Sequence, residues 1–241
     1  MKKYLWIALV LPVLLGSCRH FWGKRVRGNG IIQTEDRSVS RFKNVEVSGA
    51  AKVYVSQGDA SSVKIEGDQN LLQYIEVVQE GDRIIVRERR GFHLEPTNDL
   101  KVYVKTPVYN DIDASGACDI IGEEKITNPE NLHMHVSGAG DIRMEVDAPK
   151  LTAEVSGSGS IYLKGETKDV SLDLTGAGHA HCYDLMAENT KVDITGAGSA
   201  EVYASVTLDA DVSGAGNVNY KGNATSVKQN VSGAGSVNKV N

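Results

Sequence analysis

Apolar and polar residues alternate along most of the chain, in short runs of about five positions. The runs Leu132 to Val136 and Ile142 to Val146 carry an apolar residue at every second position, and similar runs continue toward the C-terminus. A period of two is typical of β-strands that bury one face. Because no run in this part keeps a helical period of 3.6 residues, the pattern predicts an all-β fold.

A glycine-rich tetrad, Ser/Thr-Gly-Ala/Ser-Gly, separates these runs at nearly constant spacing. From the near-match that starts at Ser115 onward, the steps are 22, 19, 19, 20, 18 and 19 residues. A unit of strand, turn, strand and return loop cannot bury its apolar face alone, so such units must stack. The sequence therefore predicts a single-stranded parallel β-helix, a solenoid with rungs of about 19 residues. The full tetrads begin at Ser137, Ser156, Thr175, Thr195, Ser213 and Ser232.

The tetrad also suggests how each turn is built. Its glycines allow positive φ angles, and its Ala or Ser is small enough to sit inside a corner. An antiparallel sandwich is the alternative fold, but it would not require identical turns at a constant spacing along the chain.

The chain divides into four predicted parts. Residues 1–17 combine Lys2 and Lys3 with a short apolar run, which is typical of a signal peptide. Residues 18–36 are expected to form a lipid anchor and tether, residues 37–110 irregular first coils that cap the solenoid, and residues 111–241 the regular repeats. A helical turn is expected between Asn70 and Tyr74.

The sequence Leu15-Gly16-Ser17-Cys18 is similar to the cleavage and acylation signal of bacterial lipoproteins. Acyl chains on Cys18 would attach the protein to a membrane, and an ordinary signal peptide is the alternative. We expect a lipid-anchored protein of the cell envelope, with the outer membrane as its site. Cys118 and Cys182 lie about three rungs apart in the repeat, too far to form a disulfide.

Charge and motifs exclude several functions. The net charge of −5 offers no basic surface for nucleic acid. The pairs His133/His135 and His179/His181 each supply too few ligands for a zinc site, and no phosphate-binding loop precedes a helix. We therefore predict no metal and no cofactor.

Equivalent positions of stacked rungs form columns, and the column two residues before the tetrads is acidic. It contains Glu154, Asp173, Asp193 and Asp211. These carboxylates are candidates for binding a cationic or cation-bridged ligand, although a solvated face is the alternative. On the strands after the tetrads, Tyr162 beside His181 is a candidate for stacking on a sugar.

An enzyme is a further alternative. Asp173 and Asp193 are expected about 5 Å apart, the separation that retaining glycosidases use. Such chemistry needs one neutral and one ionised carboxyl in a partly buried cleft. Because the acids form a uniform column and no long insertion builds a cleft wall, we predict that the protein is not an enzyme.

The repeated turns resemble those of the auto-transporter adhesin head domain family called GIN. The resemblance rests on Gly140-Asp141-Ile142, on Gly216-Asn217-Val218 and on the segment Val39 to Gly49. It implies a right-handed β-helix of the pectin-lyase type and a role in cell adhesion, without catalytic residues.

We thus expect a membrane-tethered binding module for an extended glycan or for a protein of the envelope or of a host surface. A structural envelope protein that self-associates through the solenoid ends is the second hypothesis. A polysaccharide-cleaving enzyme is the third.

Overall fold

The computed structural model describes residues 23–241, so the predicted signal peptide and Cys18 lie outside the described residues. The described chain consists of twenty strands and a single-turn 3-10 helix, Leu72–Tyr74, where a helical turn was expected. The first nine strands are β1 Lys24–Arg27, β2 Ile32–Arg37, β3 Asn44–Gly49, β4 Lys52–Gln57, β5 Ser62–Asp68, β6 Ile75–Glu80, β7 Arg83–Glu88, β8 Phe92–Glu95 and β9 Lys101–Thr106.

The remaining eleven strands belong to the repeats. They are β10 Asp111–Gly116, β11 Asp119–Thr127, β12 Asn131–Gly138, β13 Asp141–Gly157, β14 Ser160–Gly176, β15 His179–Gly196, β16 Ser199–Tyr203, β17 Thr207–Gly214, β18 Asn217–Lys221, β19 Ser226–Gly233 and β20 Ser236–Lys239.

These strands stack in parallel and in register, which confirms the predicted β-solenoid. Ser137 lies beside Ser156, and Ser156 lies beside Thr175, so the same tetrad position recurs on each rung. We call the strands that precede the tetrads wall A and those that follow them wall B. Strands β13 to β15 belong to both walls because each continues through the other end of its rung. The hand of the coil stays a prediction from the family resemblance.

The core is built from columns of small aliphatic side chains, as the shortage of aromatic residues requires. In wall A, Met134, Ala153, Leu172 and Val192 follow one another in adjacent rungs, each fully buried. Burial of one such aliphatic side chain contributes roughly 1.5–3 kcal/mol. Repetition along the solenoid therefore supplies the stability that a single rung lacks.

The two glycines of the tetrad have different roles. Gly176, the first of its tetrad, has φ +108°, and a Cβ there would lie 2.6 Å from the carbonyl oxygen of Gly157 on the preceding rung. Gly178, the second, has no positive φ, but a Cβ there would collide with a side-chain methyl of Val155. The residue between them, Ala177, is exposed. The expectation that the Ala or Ser fills the inside of the corner is therefore wrong: the second glycine is the buried residue.

The N-terminal end is closed by antiparallel strands. In wall A, β7 pairs in parallel with β3 and antiparallel with β6. In wall B, β9 pairs in parallel with β4 and antiparallel with β5, and β5 pairs antiparallel with β2. The irregular spacing of residues 37–110 thus reflects strands that reverse direction to cover the open core.

Regular secondary structure begins within residues 18–36, the segment expected to form the anchor and tether. Strand β1, which lies wholly before residue 37, pairs in parallel with β8. Strand β2, which ends at residue 37, pairs antiparallel with β5. The physical reason is that the side chain of Val26 packs against the core, whereas a solvated tether would make no contact with the core.

A buried carboxylate fastens this segment to the cap. Asp68 is 1% exposed and accepts hydrogen bonds from the backbone N–H of Gly30 (2.7 Å), the backbone N–H of Thr97 (2.8 Å) and the hydroxyl of Thr97 (2.7 Å). Burial pushes the pKa of Asp68 up, but these hydrogen bonds and a further one from Asn98 outweigh it, so the pKa lies below its usual value. The ionised form therefore ties the loop after β1 to the loop after β8.

The last rung presents its inward positions to solvent. Gln229 lies beside Ala210, which confirms its inward register, yet Gln229 is exposed. Val231 on the same strand is 40% exposed. Cys118 and Cys182 are both buried and free, as predicted.

Candidate functional site

The acidic column of wall A has the predicted geometry. Glu154, Asp173, Asp193 and Asp211 occupy matching positions on four consecutive rungs, with His135 before them and Asn230 after them. Neighbouring strands of a sheet are about 4.8 Å apart. Like charges at that spacing repel one another unless nearby cations or solvent compensate.

Basic side chains contact part of this column. Lys191 Nζ lies 2.6 Å from Asp193 Oδ2, and this hydrogen bond raises the pKa of Lys191. His133 Nε2 lies 3.4 Å from Glu154 Oε1. Asp173 is exposed, and among the described residues only the hydroxyl of Thr175 donates a hydrogen bond to it, at 3.5 Å. This arrangement is typical of a solvated sheet face.

Wall B carries a stacked column of a different kind. In adjacent rungs, Arg143 lies beside Tyr162, Tyr162 beside His181, and His181 beside Glu201. The guanidinium carbon of Arg143 is 4.6 Å from the centre of the Tyr162 ring. The Tyr162 and His181 rings are 4.6 Å apart at an interplanar angle of 13°, and His181 Nδ1 is 2.7 Å from Glu201 Oε2.

This stacking bears on Tyr162 and His181 as candidates for stacking on a sugar. Arg143 and His181 lie on successive rungs either side of Tyr162, so both faces of the Tyr162 ring are covered by protein. A sugar would meet the edge of this column and could not stack on either face of the Tyr162 ring.

A groove opens beside the column, with a volume of about 470 Å³. Two irregularities of the sheet lie along it. Between Ile121 and Lys125, β11 gains two residues relative to β13, and between His181 and Asp184, β15 gains one residue relative to β14. Bulges are common next to functional sites because they redirect side chains. Here they place Glu123 and Glu124 on one side of the groove and Tyr183 and Asp184 on the other.

The groove is rich in carboxylates. Its lining includes five acids and only two permanent cations, and each of those cations has an acidic partner. Arg143 Nη2 lies 2.6 Å from Asp141 Oδ2, and Lys164 Nζ lies 3.0 Å from Glu145 Oε2. The acids of the lining are Glu123, Glu124, Glu145, Asp184 and Glu201.

The aromatic groups beside these acids already attract cations. Lys221 Nζ lies 4.5 Å from the centre of the Tyr183 ring. Burial, with a further contribution from the charge of Glu201, raises the pKa of Tyr183, so its hydroxyl stays protonated. The groove therefore combines negative charge with ring faces that accept positive charge.

The groove continues toward the cap. Glu123 also lines a second concavity of about 550 Å³, together with Tyr103 and Lys105. Tyr103 stacks on Tyr54 of the neighbouring rung with ring centres 5.1 Å apart. The two concavities meet at Glu123, and together they form an elongated surface along wall B.

Sequence reasoning missed Glu123, Glu124, Tyr183 and Asp184. The signal that could have found them is the spacing of the tetrads: the steps of 22 and 20 residues exceed the common 19. Two of the three extra residues in the longer step form the bulge in β11, and the single extra residue of the other forms the bulge in β15.

Asp173 and Asp193 lie beside each other, as the glycosidase alternative requires. However, Asp173 is exposed and Asp193 is paired with Lys191, so neither has the sheltered setting of a neutral catalytic acid. Within residues 23–241, no group of three or more His, Cys, Asp or Glu side chains is arranged to hold a metal ion. In the same residues, no helix is long and apolar enough to cross a membrane.

Several solved structures share this fold. A putative adhesin from Bacteroides fragilis superposes with a TM-score of 0.85 at 22% identity, covering 89% of this chain and 100% of that chain. A putative lipid binding protein from Parabacteroides distasonis gives 0.77 at 23% identity, with 90% and 100% covered. A putative adhesin from the same species gives 0.73 at 26% identity, also with 90% and 100% covered.

No curated protein matches the chain in sequence. The family described as "Putative auto-transporter adhesin, head GIN domain" matches residues 41–224, which are most of the chain and include both walls, the stacked column and the groove. The chain therefore belongs to the GIN-domain family of auto-transporter adhesin heads.

Proposed function

We propose that this protein is a non-catalytic adhesin of the cell envelope, anchored through lipid on Cys18, that binds an extended basic segment of a partner protein in the groove of wall B. The groove is the observation that carries the proposal. It is elongated, it has more acids than cations, and it includes the two places where a strand of the repeats gains residues relative to its neighbour.

The chemistry of the groove favours a polypeptide over a glycan. Both faces of Tyr162 are covered, and Lys221 covers one face of Tyr183, so the stacking surface that sugars use is reduced. Glu123 and Asp184 have no cation within ion-pair distance among the described residues. Lysine or arginine side chains of a partner would supply that missing charge.

The rigidity of the solenoid supports recognition by surface complementarity. A preformed groove loses little conformational entropy on binding. Membrane attachment through acyl chains on Cys18 would hold many copies in one plane, so weak individual contacts would add by avidity. The outer membrane, with the solenoid outward, is the location that fits this role.

The test uses the chain from residue 18 with Cys18→Ser, which keeps all described residues. Its binding to a fluorescent Lys/Arg-rich peptide is measured by anisotropy, with a neutral linear oligosaccharide as the second probe. The groove variant is Glu123→Gln/Glu124→Gln/Asp184→Asn. The matched control, Glu154→Gln/Asp173→Asn/Asp211→Asn, changes the net charge by the same amount on wall A.

We expect saturable peptide binding that the groove variant loses by tenfold or more and the control retains. Equal losses in both variants would mean that only overall charge matters, which contradicts a groove site. Binding of the oligosaccharide in place of the peptide would overturn the choice of partner class. Turnover of a polysaccharide that disappears in Asp173→Asn or Asp193→Asn would replace binding with catalysis.

A further inference from the structure

The charge of the protein is divided between its two ends. Residues 23–110 contain 14 Lys and Arg against 12 Asp and Glu, whereas residues 111–241 contain 9 against 19. The cap therefore has a small positive charge and the repeats a large negative one. A protein with such polarity orients itself in the field of a charged surface.

Exposed cations cluster at one place on the cap. Lys24, Arg25 and Arg27 of β1 are exposed, and so are Arg89 and Arg90 before β8. Within residues 23–241, two of them have an acidic partner: Arg25 lies 3.7 Å from Glu95, and Arg89 lies 3.3 Å from Glu76. Most of this positive charge is thus available to a partner. We call Lys24, Arg25, Arg27, Arg89 and Arg90 the basic patch.

The patch is held by ordered structure. Strand β1 pairs with β8 over four residues, and the N–H of Lys24 donates to the carbonyl of Gly91 at 2.8 Å. On the inner side, Val26 packs on the core beside Leu94, which is 8% exposed. The Phe92 ring packs at a tilt against the Tyr74 ring, with ring centres 4.5 Å apart. The β1 backbone that carries three of these cations is therefore held in place on the cap.

Two apolar side chains follow the patch in the same segment. Ile31 is 58% exposed and Ile32 is 44% exposed, directly after the turn at Gly30. The side chain of Asn70 ties this turn to β1, because it accepts from the N–H of Asn29 and donates to the carbonyl of Arg27. Exposed apolar side chains beside cations are typical of surfaces that insert into the headgroup region of a membrane.

A lipid on Cys18 would hold the basic patch close to the membrane. Cys18 is only five residues before Gly23, a reach of roughly 17 Å when extended. An acylated Cys18 would thus keep the basic patch within reach of the headgroups. The acidic repeats would at the same time be repelled by an anionic surface.

From these observations we infer that the basic patch together with Ile31 and Ile32 docks on the anionic lipid surface of the membrane that carries the anchor, so that the cap lies on the membrane and the solenoid projects away from it. The inference rests on the proposed anchoring for its biological setting, but the docking surface itself is tested without acylation. It assigns the cap to the membrane and leaves wall B open to a partner.

The test is sedimentation of the residue 18–241 chain with Cys18→Ser on vesicles of phosphatidylcholine containing about 30% phosphatidylglycerol, and on pure phosphatidylcholine. The patch variant is Lys24→Gln/Arg25→Gln/Arg27→Gln. The matched control is Lys150→Gln/Lys168→Gln/Lys239→Gln, which removes three exposed cations from the repeats. Ile31→Ser/Ile32→Ser tests the apolar part.

Each cation near an anionic membrane contributes about 1 kcal/mol, and 1.4 kcal/mol is tenfold in affinity. We expect the patch variant to lose on the order of a hundredfold in vesicle affinity, the isoleucine variant to lose less, and the control to bind as the parent does. Binding should also weaken as salt rises. Circular dichroism and groove-peptide binding identify a variant that has failed to fold.

Three results would overturn the inference. The parent could bind both kinds of vesicle equally or neither, the control could lose as much affinity as the patch variant, or a DNA duplex could bind the patch as tightly as the anionic vesicles do. None of these results affects peptide binding in the groove, so the two proposals fail separately.

Discussion

The ring of Tyr162 lies 4.6 Å from the ring of His181, nearly parallel to it, and the Arg143 guanidinium covers the other side of Tyr162. Because the three residues occupy equivalent positions on consecutive rungs, the solenoid repeat itself creates the stack. The stack covers both faces of the Tyr162 ring and at the same time stabilises this part of wall B.

Replacing Tyr162 with Leu should therefore reduce stability. The change removes an aromatic pair and a cation–π contact, which are together worth about 1–2 kcal/mol. Urea unfolding followed by circular dichroism measures this loss. Asn219→Ala, in the same column three rungs from Tyr162, is the control and should shift the unfolding free energy by less than about 0.5 kcal/mol. An unchanged urea midpoint in Tyr162→Leu would show that the stack does not contribute to the free energy of unfolding.

The corner glycine Gly176 should tolerate no side chain. Its φ of +108° disfavours any L-residue, and a Cβ would press on the Gly157 carbonyl oxygen at 2.6 Å. Gly176→Ala should cost about 2–4 kcal/mol from backbone strain and overpacking. The neighbouring exposed Ala177→Ser should be nearly neutral in the same urea titration, and a neutral Gly176→Ala would refute this account of the turn.

Asp68 should make the stability of the cap depend on pH. Its pKa is lower in the folded state than in the unfolded chain, so its contribution is complete above the unfolded value of about 4 and is lost as pH falls through the folded value. Asp68→Asn should lose about 1.5–3 kcal/mol at pH 7, because an amide cannot accept all of these hydrogen bonds.

Between pH 5 and pH 2, the free energy of unfolding should also fall less in the Asp68→Asn variant than in the parent. Unfolding free energies of parent and variant across that range provide the measurement. Parallel pH profiles for the two proteins would mean that Asp68 does not titrate as the structure implies.

The two described cysteines should be inert in the folded protein. Burial raises the pKa of Cys118 to about 11 and that of Cys182 to about 12, so almost no thiolate is present at pH 8. A thiol reagent such as DTNB should react with neither in the residue 18–241 chain with Cys18→Ser, and with both after unfolding in urea. Fast labelling of either thiol under native conditions would contradict its burial.

The fold could be predicted from the sequence because every rung repeats the same alternation of apolar residues and the same glycine turn. Alternating residues such as Leu132 and Met134 fix the buried face, and the tetrad glycines fix the corner. What the pattern did not reveal were departures from it. The residue inside the corner was misassigned because Ala177 and Gly178 are both small, and only three-dimensional contact with Val155 distinguishes them.

The candidate site was predicted less well. The acidic column was found, since equivalent positions are readable from the repeat, but Lys191 and His133 were not weighed as its partners. The groove arises from one- and two-residue bulges at Tyr183 and Glu123, and a change of this size is visible in sequence only as a longer step between tetrads. Residues 58–110 had no repeat from which the antiparallel pairing of β5 and β6 could be read.

Location tests the adhesin account most directly. Intact cells are treated with an external protease and the protein is followed by immunoblotting, with a periplasmic protein as the control for envelope integrity. The account predicts that the solenoid is removed from intact cells while the control survives. Survival of the protein until the envelope is opened would contradict a role in adhesion and place its partner inside the envelope.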